Sequence, residues 1–392
     1  MTPYKHQTRI SRKAYRKLIK DGFVYLAMAE RTGKTLTSIL TAEKTKYNNI
    51  LVITKKNAMK DWKETLKKYP VKKNYTVINY HSIHKLEKKK FDLTIADEVH
   101  SSGMGSFPKP SQLYKNVRKI TYYNPIIFLS ATPYAESKSQ LYHQLNLTQY
   151  SPFTKYKNFY RWFDDYGIKN YVYFSGREII EYKTTKDDLL EPIIKKHFIT
   201  YTREQLGFKY EPEDVKHYIK LDKATKDLYN TLLNDNILPQ YDFVADSPMK
   251  LRTGLYQIEN GTLKIDETTS IELGNTEKID FIKKNFKEDV AVMGHFVKDQ
   301  ELLKKHFKNV YSSTSHAEGI SLAHIDELVI YSMDFSTSRF IQRRARQANM
   351  KRDKPIKVHF LLVKDAVSEQ VYNAVAIKKE NFTNSLFKRS SL

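Results

Sequence analysis

The sequence of 392 residues contains no cysteine, which excludes disulfides, thiolate zinc sites and cysteine nucleophiles. This composition is typical of a reducing compartment, and we expect a cytoplasmic protein, in the host cytoplasm if the protein is viral. Glycine and proline number only 12 each, which excludes collagen-like and linker-rich architectures. The longest apolar run covers the seven residues from Phe23 to Ala29, whereas a membrane span needs about 20, so we expect no membrane partner.

Acidic residues are scarce relative to basic ones. The 44 Asp and Glu stand against 67 Lys and Arg, which gives a formal net charge of +23. A field of this sign attracts polyanions and favours salt-dependent binding to nucleic acid, although each basic cluster taken alone is more often the solvated face of a helix. Hydrophobic residues make up 40% of the chain, which is ample for packed cores and excludes wholesale disorder.

Short apolar runs alternate with helical patterns in two parts of the chain, separated by a less regular, aromatic-rich stretch over residues 150–220. One helical pattern is the repeat of Ile10, Ala14 and Leu18. The alternation predicts an α/β fold with two parallel sheets covered by helices. The predicted strands cover residues 23–29, 50–54, 76–79, 93–96 and 126–130 in the first part, and 290–294, 310–312, 328–331 and 357–363 in the second.

The first predicted strand is followed by Ala-Glu-Arg-Thr-Gly-Lys-Thr, which ends at Thr35 and opens a helix. A strand, a glycine-containing loop and a helix start form the setting of a phosphate-binding loop. The backbone around Thr32 and Gly33 then faces the phosphates, Lys34 supplies a positive charge for the β and γ oxygens, and the Thr35 hydroxyl ligates Mg²⁺.

An acidic pair supports this interpretation of the loop. Met28 stands where the usual pattern has its first glycine, so a chance Gly-Lys-Thr is the alternative for the loop alone. Sixty-three residues after Lys34, a predicted strand ends in Asp97 and Glu98. Carboxylates at this end of a parallel strand are suited to ligand chemistry, with Asp97 in the Mg²⁺ shell and Glu98 as the general base for water.

Three further polar residues follow strands of the same predicted sheet. Ser130 and Thr132 lie just after the next strand, where their hydroxyls are placed to relay the nucleotide state by hydrogen bonding. His100 follows the acidic pair, and two interpretations of it stay open. It either couples the nucleotide site to the other half of the chain or is a satisfied surface histidine.

In this order, the segments 33–35, 97–100 and 130–133 resemble helicase superfamily 2. The resemblance is closest to the Swi/Snf-type double-stranded-DNA translocases, in the compact form carried by phages. Residues 3–7 are similar to the amino-terminal adenine-recognition element, which implies that Gln7 reads the base. Ile53-Thr54 followed by Trp62 resembles the first DNA-contacting segment of the family, although core packing is an equal alternative for Trp62.

The resemblance continues in the second half of the chain. Residues 318–322 are similar to the fifth helicase motif and residues 342–346 to the sixth, which implies that Arg346 is the arginine finger. The last arginine of the sixth motif falls on Asn349, so Arg343 and Arg352 are the substitutes for that role. The nucleotide-binding residues implied here are Gly319, Gln342 and Arg343.

The resemblance also implies an architecture: two RecA-like lobes over residues 1–148 and 216–392, joined by a mostly helical linker over 149–215. ATP and Mg²⁺ are the implied cofactors, with ATP between the lobes, and Thr35 and Asp97 are the metal ligands. The implied activity is ATP hydrolysis that drives movement on duplex or branched DNA during remodelling, branch migration or unwinding. Replication or recombination proteins are further candidate partners.

Three rival functions are a strand-separating DNA helicase, an RNA helicase and a non-enzymatic basic DNA-binding module. The retained Lys34, Asp97 and Glu98 argue against the last, because binding alone does not need them.

Overall fold

The computed structural model describes residues 2–86, 89–100, 103–134, 137–174, 177–313, 325–337, 339–341, 354–378, 380–384 and 386–392. The chain divides into two compact units, Met1–Gly207 and Phe208–Leu392. Each unit is built around one parallel sheet with helices packed on it, which confirms the predicted α/β class. No helix in the described ranges is both long and apolar enough to cross a membrane.

The described helices and strands of the first unit follow the chain in this order: α1 (Lys5–Asp21), β1 (Phe23–Met28), α2 (Lys34–Glu43), β2 (Asn49–Thr54), α3 (Met59–Lys68), β3 (Asn74–Asn79), β4 (Leu93–Asp97), α4 (Gln112–Thr121), β5 (Ile126–Leu129), α5 (Leu141–Leu145), α6 (Phe159–Tyr166), β6 (Asn170–Phe174), β7 (Arg177–Glu181), α7 (Asp187–His197) and β8 (Phe198–Tyr201).

Six of these strands form one parallel sheet in the order β3-β2-β4-β5-β1-β8. Its central strands are buried along their length, as expected for parallel strands covered on both faces. Helix α1 packs beside this sheet through Ile10, Ala14 and Leu18, the stripe that the sequence predicted. All five predicted strands of this part are present within two residues of their predicted ends.

The segment expected as a mostly helical linker has a more mixed structure. Besides α6 and α7 it contains the antiparallel hairpin β6–β7, and β8 adds an edge to the first sheet beside β1. By its contacts this segment, up to Gly207, is part of the first compact unit. The physical reason is that β1 has a second edge, which β8 pairs with through backbone hydrogen bonds.

The second unit contains β9 (Pro212–Tyr218), α8 (Lys223–Asp235), β10 (Ile237–Leu238), β11 (Phe243–Val244), α9 (Pro248–Ile258), β12 (Thr262–Lys264), β13 (Ser270–Glu272), α10 (Glu277–Asn285), β14 (Ala291–Gly294), α11 (Val297–Lys304), β15 (Asn309–Ser312), β16 (Glu327–Ile330), β17 (Ile356–Leu362) and α12 (Val367–Tyr372). Its parallel sheet has the order β15-β14-β16-β17-β9, and all four predicted strands belong to it.

A buried polar network joins two helices of the second unit to the end of β16. The Lys278 ammonium on α10 donates to Asn260 Oδ1 at 2.7 Å, and the Asn260 amide donates to Asp299 Oδ2 on α11 at 3.0 Å. Asp299 also accepts from Thr262 Oγ1 at 2.6 Å and from Ser332 Oγ at 2.8 Å. Because buried charges are costly unless paired, these bonds fix the relative positions of the two helices and the strand end.

Candidate active site

Three predicted segments meet at one edge of the first sheet. Strand β5 lies between β4 and β1, and Leu129 on β5 is in register with both Leu26 on β1 and Asp97 on β4. Because the strands are parallel, the loop after β1, the acidic end of β4 and Ser130 after β5 emerge on the same side. Carboxyl ends of strands are where open parallel sheets bind their ligands.

The loop after β1 has the backbone that phosphate binding requires. Gly33 is the N-cap of α2 with φ of 81°, and Arg31 also has a positive φ, of 60°. The Thr32 hydroxyl closes the loop by donating to the Ala29 carbonyl at 2.6 Å. Met28 is the last residue of β1, where the backbone is extended, so a glycine is not needed there.

Lys34 ties the end of this loop to its beginning. Its ammonium donates to the carbonyl oxygens of Met28 at 3.0 Å and Ala29 at 3.2 Å. Thr35 follows in the first turn of α2, and its side chain is partly buried. A helix N-terminus together with a lysine ammonium is a favourable environment for phosphate oxygens.

The amino-terminal segment holds the phosphate loop from the other side. Gln7 is buried, its Oε1 accepts from the Tyr4 backbone N–H at 2.9 Å, and its Nε2 donates to the Gly33 carbonyl at 3.4 Å. The positive φ of Gly33 favours glycine there, and a Cβ would lie 2.0 Å from Gln7 Nε2, so a side chain would also displace the Gln7 amide. His6 lies beside it, with its ring Nε2 3.2 Å from the Thr32 carbonyl.

Asp97 is a buried carboxylate held by two donors. Its Oδ2 accepts from Thr54 Oγ1 and from the Trp62 indole N–H, each at 2.8 Å. The Tyr80 hydroxyl donates to the Asp97 backbone carbonyl at 2.7 Å. Burial raises the pKa of Asp97, and the neighbouring Glu98 carboxylate raises it further, whereas the bonds from Trp62 and Thr54 lower it. Thr54 and Trp62 are both buried, so they position Asp97 and present no surface to DNA.

Glu98 and His100 continue the site beyond the end of β4. Glu98 has a φ of 49°, which is rare for a residue with a side chain and marks a constrained position. Its Oε2 lies 3.5 Å from His100 Nδ1, and the same nitrogen is 2.7 Å from Ser130 Oγ. Ser130 Oγ also accepts from the Thr132 N–H at 2.9 Å. His100 therefore connects β4 to the end of β5 inside the first unit.

His100 is neutral in this environment. Burial lowers its pKa to about 3, and the nearby Lys55 and Lys34 ammonium groups lower it as well. A neutral imidazole hydrogen-bonds to Ser130 without adding a positive charge beside Glu98.

The phosphate loop itself contains a carboxylate, Glu30. Glu30 Oε2 is 4.0 Å from the Arg203 guanidinium, and Arg203 follows strand β8. Burial raises the pKa of Glu30, while the charges of Lys34 and Arg203 lower it. The chain separates these partners by 173 positions, so only the pairing of β8 with β1 brings them together.

The predicted site residues Gly319, Gln342, Arg343 and Arg346 lie outside the described residues, as do Asn349 and Arg352. In the described part of the chain, no group of three or more histidine or acidic side chains is arranged to hold a metal ion. Mg²⁺ in nucleotide sites is normally held by one or two carboxylates together with substrate phosphates, so Asp97 and Thr35 are the protein groups suited to it.

One family model matches the chain, and the matched residues lie in the first unit. Residues 1–135 match the model of the family described as type III restriction enzyme, res subunit. Among curated proteins, no significant match to the chain is found.

Two solved structures of a SWI2/SNF2 ATPase core from Sulfolobus solfataricus are similar to this chain at 13% identity. One is in complex with double-stranded DNA, with a TM-score of 0.45, 99% of this chain covered and 92% of that chain. The other has a TM-score of 0.44, with 100% and 93% covered. These scores add nothing to the fold derived above.

The family match contains the phosphate loop and the acidic pair, the two segments that the sheet brings to one edge. The family similarity thus extends over residues 1–135, about a third of the chain, and it includes both segments of the candidate nucleotide site.

Proposed function

We propose that this protein is a superfamily 2 ATPase of the Swi/Snf type, a translocase that hydrolyses ATP in response to nucleic acid and moves along duplex DNA. The observation that carries the proposal is the placement of Lys34, Asp97 and Glu98 at one edge of one parallel sheet. A protein that only binds DNA needs none of these groups, whereas ATP hydrolysis needs a phosphate cation, a metal ligand and a general base.

The phosphate loop is suited to bind the triphosphate. Lys34 uses two of its three N–H donors on the Met28 and Ala29 carbonyls, and we expect it to exchange these for β and γ oxygens. The N-terminus of α2, beginning beside Gly33, adds backbone donors and its dipole. Gln7 already contacts Gly33, so reading an adenine with its amide would couple the base to the position of the loop.

The residues present also fit Mg²⁺. Among the described contacts, both hydrogen bonds to the Asp97 side chain end on Oδ2, which fixes the carboxylate and leaves Oδ1 for a cation. Thr35 offers a hydroxyl oxygen in the first turn of α2. When bound, Mg²⁺ supplies charge stabilisation to the phosphoryl oxygens.

Glu98 is the proposed general base, and it would take a proton from the attacking water. Its side chain is 23% exposed, so water reaches it, whereas the His100 side chain beside it is only 6% exposed. The contact of His100 with both Glu98 and Ser130 orients the carboxylate relative to the end of β5. Arg346, outside the described residues, is the proposed arginine finger.

Duplex DNA is the proposed track because the net charge of +23 suits a phosphate-lined path. A motor that follows an intact duplex needs phosphate contacts and no base readout, so little sequence preference is expected. Its affinity for DNA should fall steeply as the salt concentration rises.

The test compares ATPase rates with duplex DNA, single-stranded DNA, forked DNA and RNA, followed by displacement of a third strand from a triplex. We expect duplex DNA to stimulate at least as well as single strands, with ATP-dependent triplex displacement that Lys34→Ala abolishes. Stimulation by single strands or RNA alone, without triplex displacement, would overturn the translocase proposal in favour of a helicase.

A further inference from the structure

The first unit has a cleft of about 620 Å³ on the side of helix α4. Its walls are α4 with the residues just after it, the loop 108–110, helix α5 and the stretch 154–160. This volume falls within the range of clefts that hold drug-sized ligands. No residue of the phosphate loop lines the cleft, so it is a separate feature of the unit.

The charged side chains of lysine and arginine that line the cleft are all positive. Lys115 and Lys119 lie one helical turn apart on α4 and are both exposed, with Arg118 between them. Lys109 and Lys157 face the cleft from the two neighbouring segments. Among the described residues that line it there is no aspartate or glutamate. The lining therefore favours an anion.

Tyrosine rings are interleaved with these cations. Tyr123 is 73% exposed and Tyr160 is 40% exposed, which is unusual for such large apolar rings. Tyr122 packs edge-on against Tyr123, with 5.2 Å between the ring centroids. Exposed rings next to cations offer faces on which a planar aromatic group can stack.

One cation is held in place before any ligand binds. Arg118 Nε donates to the Asn146 carbonyl at 2.9 Å, and its guanidinium carbon lies 4.0 Å from the centre of the Tyr122 ring. A guanidinium fixed in this way loses little conformational entropy when it binds an anion. The cleft thus has one fixed guanidinium and exposed lysines beside it.

We infer that this cleft binds a single-stranded segment of nucleic acid, as a site additional to the proposed contacts with duplex DNA. A single strand presents an anionic phosphate and an exposed aromatic base in each nucleotide, which matches the alternation of lysine and tyrosine. In a duplex the bases are stacked inside and the tyrosines would have no partner. An acidic peptide would use the lysines and leave the exposed tyrosine rings without a role.

The test measures binding of the full chain to a fluorescein-labelled oligothymidine of about ten nucleotides, by anisotropy over a range of KCl concentrations. The variant Lys115→Gln/Lys119→Gln removes two phosphate contacts, so the salt slope should fall by about 1.4 and affinity at 0.1 M salt by roughly 25-fold. Tyr123→Ala should weaken binding by about 5- to 150-fold without changing the slope, because stacking involves no counterion.

The matched control is Lys195→Gln/Lys196→Gln, which removes two exposed lysines from the last turn of another helix, α7. A 4-thiothymidine oligonucleotide locates the contact independently, and its photo-crosslinks should fall in residues 109–123 or 154–160. Equal affinities and slopes for the two lysine variants, crosslinks only elsewhere, or displacement by polyglutamate as effective as by oligothymidine would each overturn the inference. Duplex-stimulated ATPase activity should stay unchanged in the α4 variant, so the two proposals fail separately.

Discussion

The indole N–H of Trp62 should matter to Mg²⁺ binding although Trp62 is buried and contacts no substrate group. It donates to Asp97 Oδ2 at 2.8 Å, one of the two bonds that orient this carboxylate. Trp62→Phe keeps an aromatic ring in the core and removes the donor. We expect half-maximal ATP hydrolysis to need a higher Mg²⁺ concentration in this variant, because a less constrained carboxylate binds the ion less well.

The magnitude follows from the chemistry of the bond. A hydrogen bond to a charged acceptor contributes about 1.5–3 kcal/mol. Because the Trp62 bond lowers the pKa of Asp97, its loss should raise that pKa and weaken the ionised form that binds the metal. Loss of such a supporting contact at a metal site typically costs about 10- to 100-fold in metal affinity or activity. The assay is DNA-stimulated ATP hydrolysis against Mg²⁺ concentration, together with urea unfolding.

The chain provides its own control in Trp162, its only other tryptophan. Trp162 is also fully buried, and its indole N–H has no hydrogen-bond partner among the described residues. Trp162→Phe therefore deletes the same atoms from a core without breaking a bond. Trp62→Phe should cost about 1.5–3 kcal/mol more in unfolding free energy than Trp162→Phe. If the two variants have the same Mg²⁺ dependence, the positioning role of Trp62 is refuted.

Three other predictions concern the chemistry and the pH dependence. Glu98→Gln should bind ATP yet hydrolyse it at least ~100-fold more slowly in a steady-state assay, and near-normal turnover would refute its role as general base. Arg346→Ala should leave nucleotide binding nearly intact and reduce DNA-stimulated hydrolysis; if Arg343→Ala is the damaging change instead, the alignment of the sixth motif is wrong. Burial lowers the pKa of His100 to about 3 and of His143 to about 4, so below pH 6.5 the unfolded chain takes up protons that the folded chain does not. Glu259 and Asp299 act in the opposite direction, because burial raises their pKa values to about 7 and about 6, so the test compares variants. Relative to His143→Gln, the unchanged chain should lose up to about 1.4 kcal/mol of unfolding free energy per pH unit between pH 6.5 and 4; identical pH dependence of urea unfolding in the two proteins would contradict this.

The central strands of both sheets and the edge strands β3 and β15 could be predicted from the sequence, whereas the edge strands β8 and β9 could not. Parallel strands covered on both faces are continuous apolar runs, which is why β1 and β4 stand out. Strand β9, with the sequence Pro-Glu-Asp-Val-Lys-His-Tyr, lies at the edge of its sheet and needs no such run. Strand β8 has only four residues and also occupies an edge.

The candidate site was predictable where chemistry and local backbone coincide. Lys34 and Glu98 each follow a strong strand signal, so their positions at the carboxyl edge could be expected. The partners Trp62 and Arg203 could not be assigned, because their contacts depend on how distant elements pack. Trp62 shows the same apolar helical spacing whether it faces a carboxylate, a hydrophobic core or DNA.

Strand β8 determines how far a truncated fragment of the first unit must extend to keep its sheet complete. The phosphate loop begins with a backbone bond from Ala29 N–H to the Tyr201 carbonyl, so the loop is anchored on a strand encoded about half a chain length further on. A fragment ending near residue 148 would contain every nucleotide-binding residue proposed for the first unit and still lack this strand. The exposed edge of β1 would then be an open template for pairing with other chains. A fragment ending at Gly207 keeps that edge covered. It is shorter than the full chain and is suited to crystallisation or nucleotide titration.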